Sequence, residues 1–338
     1  MICIKVLGIQ QTENTRFASQ STIENNRRIA LVLSIGDVML DIYIDEPSEL
    51  NRDTDTPGRT ALNWGGSAAN FAVWASRLGL VSAISGRAGA DFVGDAAVAD
   101  FTREKVLPLL ARDPLLPTGT VVVRSRRGSG REMICDRKAN AAFSVADLPL
   151  DEIRSAKWVH ISGYTVIEAA PRAAVKAAIA AASGSDAVIS VDPGSCSLIG
   201  SMGVERFMDA VRGASLIMPN LEEAHLLTGE DDVWKMLDVL LRSFPSAVIK
   251  LGAEGAAYAN RRGERGSKVA FPAIAVDVNG AGDSFAAAFT AEYLERGDIG
   301  RATEAGCALA AQVVGARGAR PAVGLDFWKS RYGRGECS

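Results

Sequence analysis

"AVDVNGAGDSFAAAF", residues 275–289, sets two glycines and two acids in a short turn just before a long helix-forming run. The turn is "DVNGAGD", and the run that follows, "SFAAAFTAEYLERG", closes on Gly297. Glycines let the backbone come close to a ligand, and the first N–H groups of a helix lack intrahelical partners and point into the same space. Such a terminus stabilises a phosphate, and more so the charge that develops when a phosphoryl group moves. Asp283 would repel a phosphate if it only lined the pocket. Two readings therefore stand side by side: an aspartate cap on a glycine turn, or a base that accepts the proton of an attacking hydroxyl.

Working outward, short apolar runs alternate with longer alanine-rich amphipathic segments. "IALVLSIGD" (29–37) reads as a buried strand, "SAANFAVWASRLG" (67–79) as a helix closed by Gly79, and "VSAISGRAG" (81–89) as the next strand. "WVHISG", "DAVISVD", "ASLIMPN" and "SAVIKLG" follow, separated by helical stretches such as "AAPRAAVKAAIAAASG". Strands apolar on both faces, alternating with helices, predict an α/β fold with a mostly parallel sheet covered on both sides. Ligands of such sheets sit beyond the carboxyl ends of the strands. Residues 42–63 and 118–136 break the rhythm with β-prone residues and turn signals, and they predict a small β-sheet lid over the mouth of the site.

The chain has 338 residues, 48% hydrophobic and 23% charged, with a formal charge of −3, which gives no electrostatic reason to expect nucleic acid or an anionic membrane as partner. Five scattered cysteines without CxxC spacing read as reduced thiols of a cytoplasmic protein, and two histidines exclude a histidine-rich metal centre. Residues 1–28 read as a polar extension without a signal-peptide pattern, 29–325 as the folded unit and 326–338 as a tail.

Competing motifs fail on inspection. Phe285 stands where a dinucleotide fingerprint needs its third glycine, no Gly-Lys pair offers a Walker loop, and no GxSxG elbow is present. Two other stretches fit a ligand-binding reading. In "NWGGSAAN", Gly65 and Gly66 precede a helix, and Asn70 one turn in has both donor and acceptor for hydroxyls; the plain alternative is a glycine turn. "GDVMLD" (36–41) reads as the close of the first strand, with Asp41 either accepting two sugar hydroxyls or standing as an exposed strand-end acid.

Taken in order, "GDVMLD", "GGSAAN", "GRAGADFVGD", "PNLEEAHLLTGE", "KLGAEG" and "DVNGAGDSF" resemble the ribokinase-like, or PfkB, carbohydrate kinases from about Ile29 to Pro321. The resemblance implies a three-layer α/β/α sandwich with a β lid, and transfer of the γ-phosphoryl group of MgATP to an alcohol. It implies Asp283 as base, Gly280, Ala281 and Gly282 as anion hole, and Asp41, Gly65, Gly66 and Asn70 as sugar contacts. Asn220 and Glu223 would organise Mg2+ through water, while Lys250, Gly252 and Gly255 lie beside the nucleotide. A monovalent cation, K+ in some members, would use Asp277, and relatives often pair through the lid as homodimers. Departures are informative: Val278 replaces a usual threonine, Ala322 a serine of cation-dependent members, and Met39 and Ser67 two ribose contacts of ribokinase. Ribose is therefore not implied as the acceptor. A nucleoside kinase and a catalytically silent sugar or nucleotide sensor remain alternatives on the same fold.

Other residues read as structural. "RSRRGSGR" (124–131) is a solvated hairpin face, with Arg137 as an alternative contact for an acidic substrate; His160 is a core histidine and the five tryptophans are mostly core.

Overall fold

Strand β1, Leu31–Ile35, is the pivot of the main sheet. It pairs in parallel with β4 (Val81–Gly89) on one side and β8 (Trp158–Ser162) on the other. The computed structural model describes residues 30–46, 51–126 and 131–332. From β4 the sheet continues to β5 (Val106–Asp113); from β8 it continues through β9 (Val188–Asp192), β10 (Leu216–Ile217) and β11 (Ser246–Lys250), all parallel. An antiparallel hairpin, β12 (Ala256–Asn260) and β13 (Arg265–Lys268), closes that edge of the nine-stranded sheet. The chain reverses direction of growth at β1, and the crevice at the carboxyl end of such a switch point is where open α/β sheets bind ligands.

The two faces bury different clusters. Val32, Phe71, Trp74, Trp158, Val248 and Phe285–Phe289 pack on one side, beneath helices Ser67–Arg77, Ala281–Arg296 and Ile299–Val313. Leu33, Ile35, Val159, Ile161, Val191 and Ile249 face the other, under helices that include Ala169–Ala182 and Val233–Ser243. Successive residues of β1 thus alternate between the two cores, which is why the strands read as continuous apolar runs. The result is three layers, helix, sheet and helix. His160 lies within it, stacked on Phe71 at 3.9 Å and bonded through Nδ1 to Ser190, and burial pulls it down to about 4. Among the tryptophans, Trp74, Trp158 and Trp328 are buried, whereas Trp234 lies exposed under the Arg265 guanidinium.

A second sheet, order β3-β2-β6-β7, is built from Met39–Glu46 (β2), Arg59–Gly65 (β3), Gly119–Arg126 (β6) and Arg131–Asp136 (β7). Two boundaries differ from the sequence reading. β1 stops at Ile35, and Asp41 belongs to β2, opposite Asn63 and Val121, so it is a residue of the small sheet and not the close of the first strand. The reason is local: Gly36 turns the chain, and the buried, apolar Val38 and Met39 after it lead straight into β2, so the two strands merge in one apolar pattern. The stretch from 326 also differs, because it opens with a helix, Asp326–Tyr332, that buries Trp328 and Tyr332 against the second cluster. The extension 1–28 and the middle of the basic tip, 127–130, lie outside the described residues.

Candidate active site

The carboxyl ends of β1, β8, β9, β10 and β11 open into a single cleft of about 1270 Å³. Asp37, Tyr164, Asp192, Asn220 and Lys250 line it from these ends, Met39, Asp41, Val121, Met133 and Cys135 from the small sheet, and Gly280–Asp283 from the glycine turn. Gly252 and Gly255 line it further along, near Phe271, Ala310 and Val314. Gly65 and Asp277 do not. Gly65 lies behind Asp41 and leaves it room, since a methyl group there would stand 2.0 Å from the Asp41 carboxylate. Asp277 accepts from the N–H groups of Asn279 and Gly318, at 2.8 and 2.9 Å, and so ties the glycine turn to the 318 loop.

Gly280, in the left-handed region at φ 74°, caps the helix Ala281–Arg296, and Asp283 is its third residue. The Asp283 carboxylate is held from the side: Ser67 Oγ–H donates to Oδ1 at 2.7 Å and Asn70 Nδ2–H to Oδ2 at 2.8 Å. This is not the pattern of a simple cap, because no side chain caps that helix and the carboxylate is engaged across the cleft. Burial pushes Asp283 up to about 6, helped by the charge of Asp192 and opposed by its two hydrogen bonds and Lys250. The Lys250 ammonium pairs with Asp192, and a methyl group on Gly282 would lie 3.2 Å from Nζ, so one positive charge stands directly at the mouth of the turn.

Asn220 and Glu223 form a reciprocal capping box on the helix Leu221–Thr228, with Glu223 accepting from the Asn220 N–H at 2.9 Å and Asn220 from the Glu223 N–H at 2.8 Å. Glu223 is nonetheless buried in the cleft wall, and burial together with the charge of Asp192 pushes it up to about 7 against the pull of Lys250. Asp41 also reaches about 7, through burial and the nearby Asp283, with Arg320 pulling it down. Asn70 does not present both halves of its amide to a ligand: Arg320 Nε donates to its Oδ1 at 2.7 Å while Nδ2 serves Asp283. Arg137 is likewise committed, in an ion pair to Asp37 at 2.8 Å and another to Glu168.

Two residues of this constellation, Asp192 and Arg320, are absent from the sequence reading, and Ser67 enters it only as a departure from a ribose contact. Asp192 ends an apolar strand in "VISVDPG", the same strand-end signal that singled out Asp41. Ser67 sits inside the Gly-Gly motif itself. Arg320 carried no local signal, since its meaning depends on Asn70 far away in the chain.

The pfkB family carbohydrate kinase model matches residues 29–323, and the chain belongs to that family of alcohol-group phosphotransferases. A fructokinase of Klebsiella pneumoniae is 27% identical over 248 residues, covering 72% of this chain and 81% of its own. A ribokinase of Arabidopsis thaliana, solved with ribose and ATP, superposes with a TM-score of 0.75 at 21% identity over 87% of this chain and 96% of that one. An Escherichia coli chain described as a ribokinase II, solved with ATP and Mg2+, superposes with a TM-score of 0.77 at 24% identity over 90% and 100%. The fold is thus ribokinase-like. Among the described residues no helix is long and apolar enough to cross a membrane.

Proposed function

We propose that this chain transfers the γ-phosphoryl group of ATP to a hydroxyl of an uncharged sugar-type acceptor, with Asp283 as general base. The observation that carries the reading is the Asp283 carboxylate, fixed by Ser67 and Asn70 in the first helical turn, beside the backbone N–H groups of that turn. A base within reach of the acceptor proton and donors aimed at the transferred group are what a phosphoryl transfer needs from a protein. Lys250 at the mouth of the turn adds a charge for the phosphates, and Phe271, Ala310 and Val314 supply an apolar wall for an adenine. The ATP carried by the Arabidopsis ribokinase supports this use of the cleft.

Mg2+ fits the same end. Asp192 and Glu223 are buried carboxylates close enough that the charge of one raises the other, a repulsion that a hydrated dication relieves. Among the described residues no three acids, histidines or cysteines converge on a common point, so the ion would be held through water and phosphate oxygens. Bound there, it neutralises charge developing on the phosphate oxygens.

The acceptor end is lined by Asp37 and Asp41 and by the apolar Met39, Val121, Met133 and Cys135. Asp37 is balanced by Arg137, so the negative charge of this end comes from Asp41, which together with the apolar wall disfavours an anionic acceptor. A coupled ADP-release assay over pentoses, hexoses, nucleosides and sugar acids tests this. The expected result is a neutral sugar turned over with kcat/KM at least about 10-fold above that of its aldonic acid. Silence across the whole panel would instead fit a sensor without turnover.

The small sheet acts in this reading as a lid that keeps water from the phosphoryl group. Its outer face exposes Leu62 at 67% and Ile134 at 60%, which supports a homodimer formed through it. Sedimentation velocity should then give twice the chain mass, and Leu62→Lys with Ile134→Lys should return a monomer; a wild-type monomer at working concentration refutes the pairing.

A further inference from the structure

Arg320 is a cation enclosed behind the site, with its side chain 8% exposed and no place in the cleft lining. Its fork is anchored at three points: Nε to Asn70 Oδ1 at 2.7 Å, one terminal nitrogen to Asp100 Oδ2 at 3.2 Å, and the other to the Gly65 carbonyl oxygen at 3.3 Å. Burial pulls Arg320 down to about 10, so it is charged at neutral pH. We propose that Arg320 is a positioning residue for phosphoryl transfer, fixing the Asn70 amide so that its N–H is aimed at Asp283 and the carboxylate is held toward the acceptor. The inference rests on Asp283 being the base.

The chemistry is one of donors and acceptors. A guanidinium has only donors, so Asn70 must turn its oxygen to Arg320. The amide nitrogen is then obliged to face Asp283, where it donates at 2.8 Å. A reversed amide would set N–H against N–H on one side and oxygen against carboxylate on the other, two buried mismatches at once. Asp100 in turn keeps the guanidinium from rotating, and the Arg320 Cζ lies over the Phe101 ring, 5.7 Å from the ring centre. With Leu, Ile or Gln at position 320 only the Asp283 carboxylate would orient Asn70, and that hold is lost whenever Asp283 carries the proton.

Charge acts alongside geometry. Asp41, Asp100 and Asp283 face Arg320, with Arg77 as the other cation nearby, while Asp192 and Lys250 face Asp283 from the opposite strands. Removing the guanidinium takes away the cation shared by Asp41 and Asp283, and both should then hold their protons to higher pH. Lysine keeps the charge and loses the fork, so the two contributions separate.

The test compares Arg320→Gln, Arg320→Lys and Asn70→Asp with wild type in two readouts. Carboxyl-13C titration of Asp283, assigned through Asp283→Asn, needs no acceptor and therefore judges Arg320 even if the chain phosphorylates none. The midpoint should rise by about half a pH unit or more in Arg320→Gln and return toward wild type in Arg320→Lys. With an acceptor in hand, Arg320→Gln should lower kcat about 10- to 100-fold with the KM for ATP within about threefold, and Arg320→Lys should recover only part of it. Asn70→Asp keeps a partner for Arg320 and hence the fold, but opposes a carboxylate to Asp283, so it should fold and lose most turnover. An unmoved Asp283 midpoint in a folded Arg320→Gln, or an Asn70→Asp enzyme within about fivefold of wild type, overturns the proposal. Failure of every acceptor with a shifted midpoint overturns the kinase reading alone.

Discussion

Asp283→Asn should lower kcat by about 10²-fold or more while the KM values for ATP and acceptor change little. The substitution is nearly isosteric: its remaining oxygen can accept from Asn70 Nδ2–H while its amide N–H donates to the Ser67 hydroxyl, so the fold and the cleft stay intact. What is lost is the capacity to take the acceptor proton as its oxygen attacks phosphorus. The sign of the pH dependence follows from the same group. Burial pushes Asp283 up to about 6, and a base works only when deprotonated, so kcat/KM should fall as pH drops through about 6. Asp41, at about 7, adds a second and shallower component if its ionised form grips the acceptor. A variant with near-normal turnover, or a rate flat down to pH 5, would remove Asp283 from the proton transfer.

The second large effect concerns folding. Gly66 precedes the helix Ser67–Arg77 with φ 91°, and a methyl group there would stand 2.1 Å from the Asp37 carbonyl oxygen. That neighbour is backbone, held in place by the turn after β1, so the overlap cannot be relieved by a side-chain rotation. Gly66→Ala should therefore cost roughly 2–4 kcal/mol, the sum of left-handed strain and overpacking. Gly79 supplies the control: its φ is 88° but open space surrounds it, so Gly79→Ala should cost only about 1–2 kcal/mol of strain. Urea midpoints of the two variants separate overlap from strain. Equal losses would mean that the chain around Asp37 yields easily, and that Gly66 is there for its backbone angle alone.

Much of this molecule was legible in its sequence because a parallel sheet buried on both faces leaves few charged residues to interrupt its strands. Leu33 and Val32 look alike in the chain although they enter different cores. The same uniformity hid the end of β1, since Val38 and Met39 are as apolar as what precedes them and only Gly36 marks the break. The glycine turn and the Asn-x-x-Glu box were readable because each is local: its residues act on one another within a turn of helix. Arg320 and Asp192 act on groups from other strands and helices, and no window of sequence contains both partners. Gly65 is the opposite case, a motif residue that does not itself line the cleft and makes room for Asp41 behind it.

Asp283 is bonded to side chains 216 and 213 positions earlier, and Arg320 to one 250 positions earlier. During synthesis the first parts of this constellation therefore wait for the last. A chain still emerging from the ribosome, with residues to 270 already outside, has its strands but neither the Asp283 carboxylate nor the Arg320 guanidinium behind it. If Asp283 is the base, such a chain cannot yet spend ATP in its half-made cleft, and turnover begins only once residues 283 and 320 have folded against Asn70.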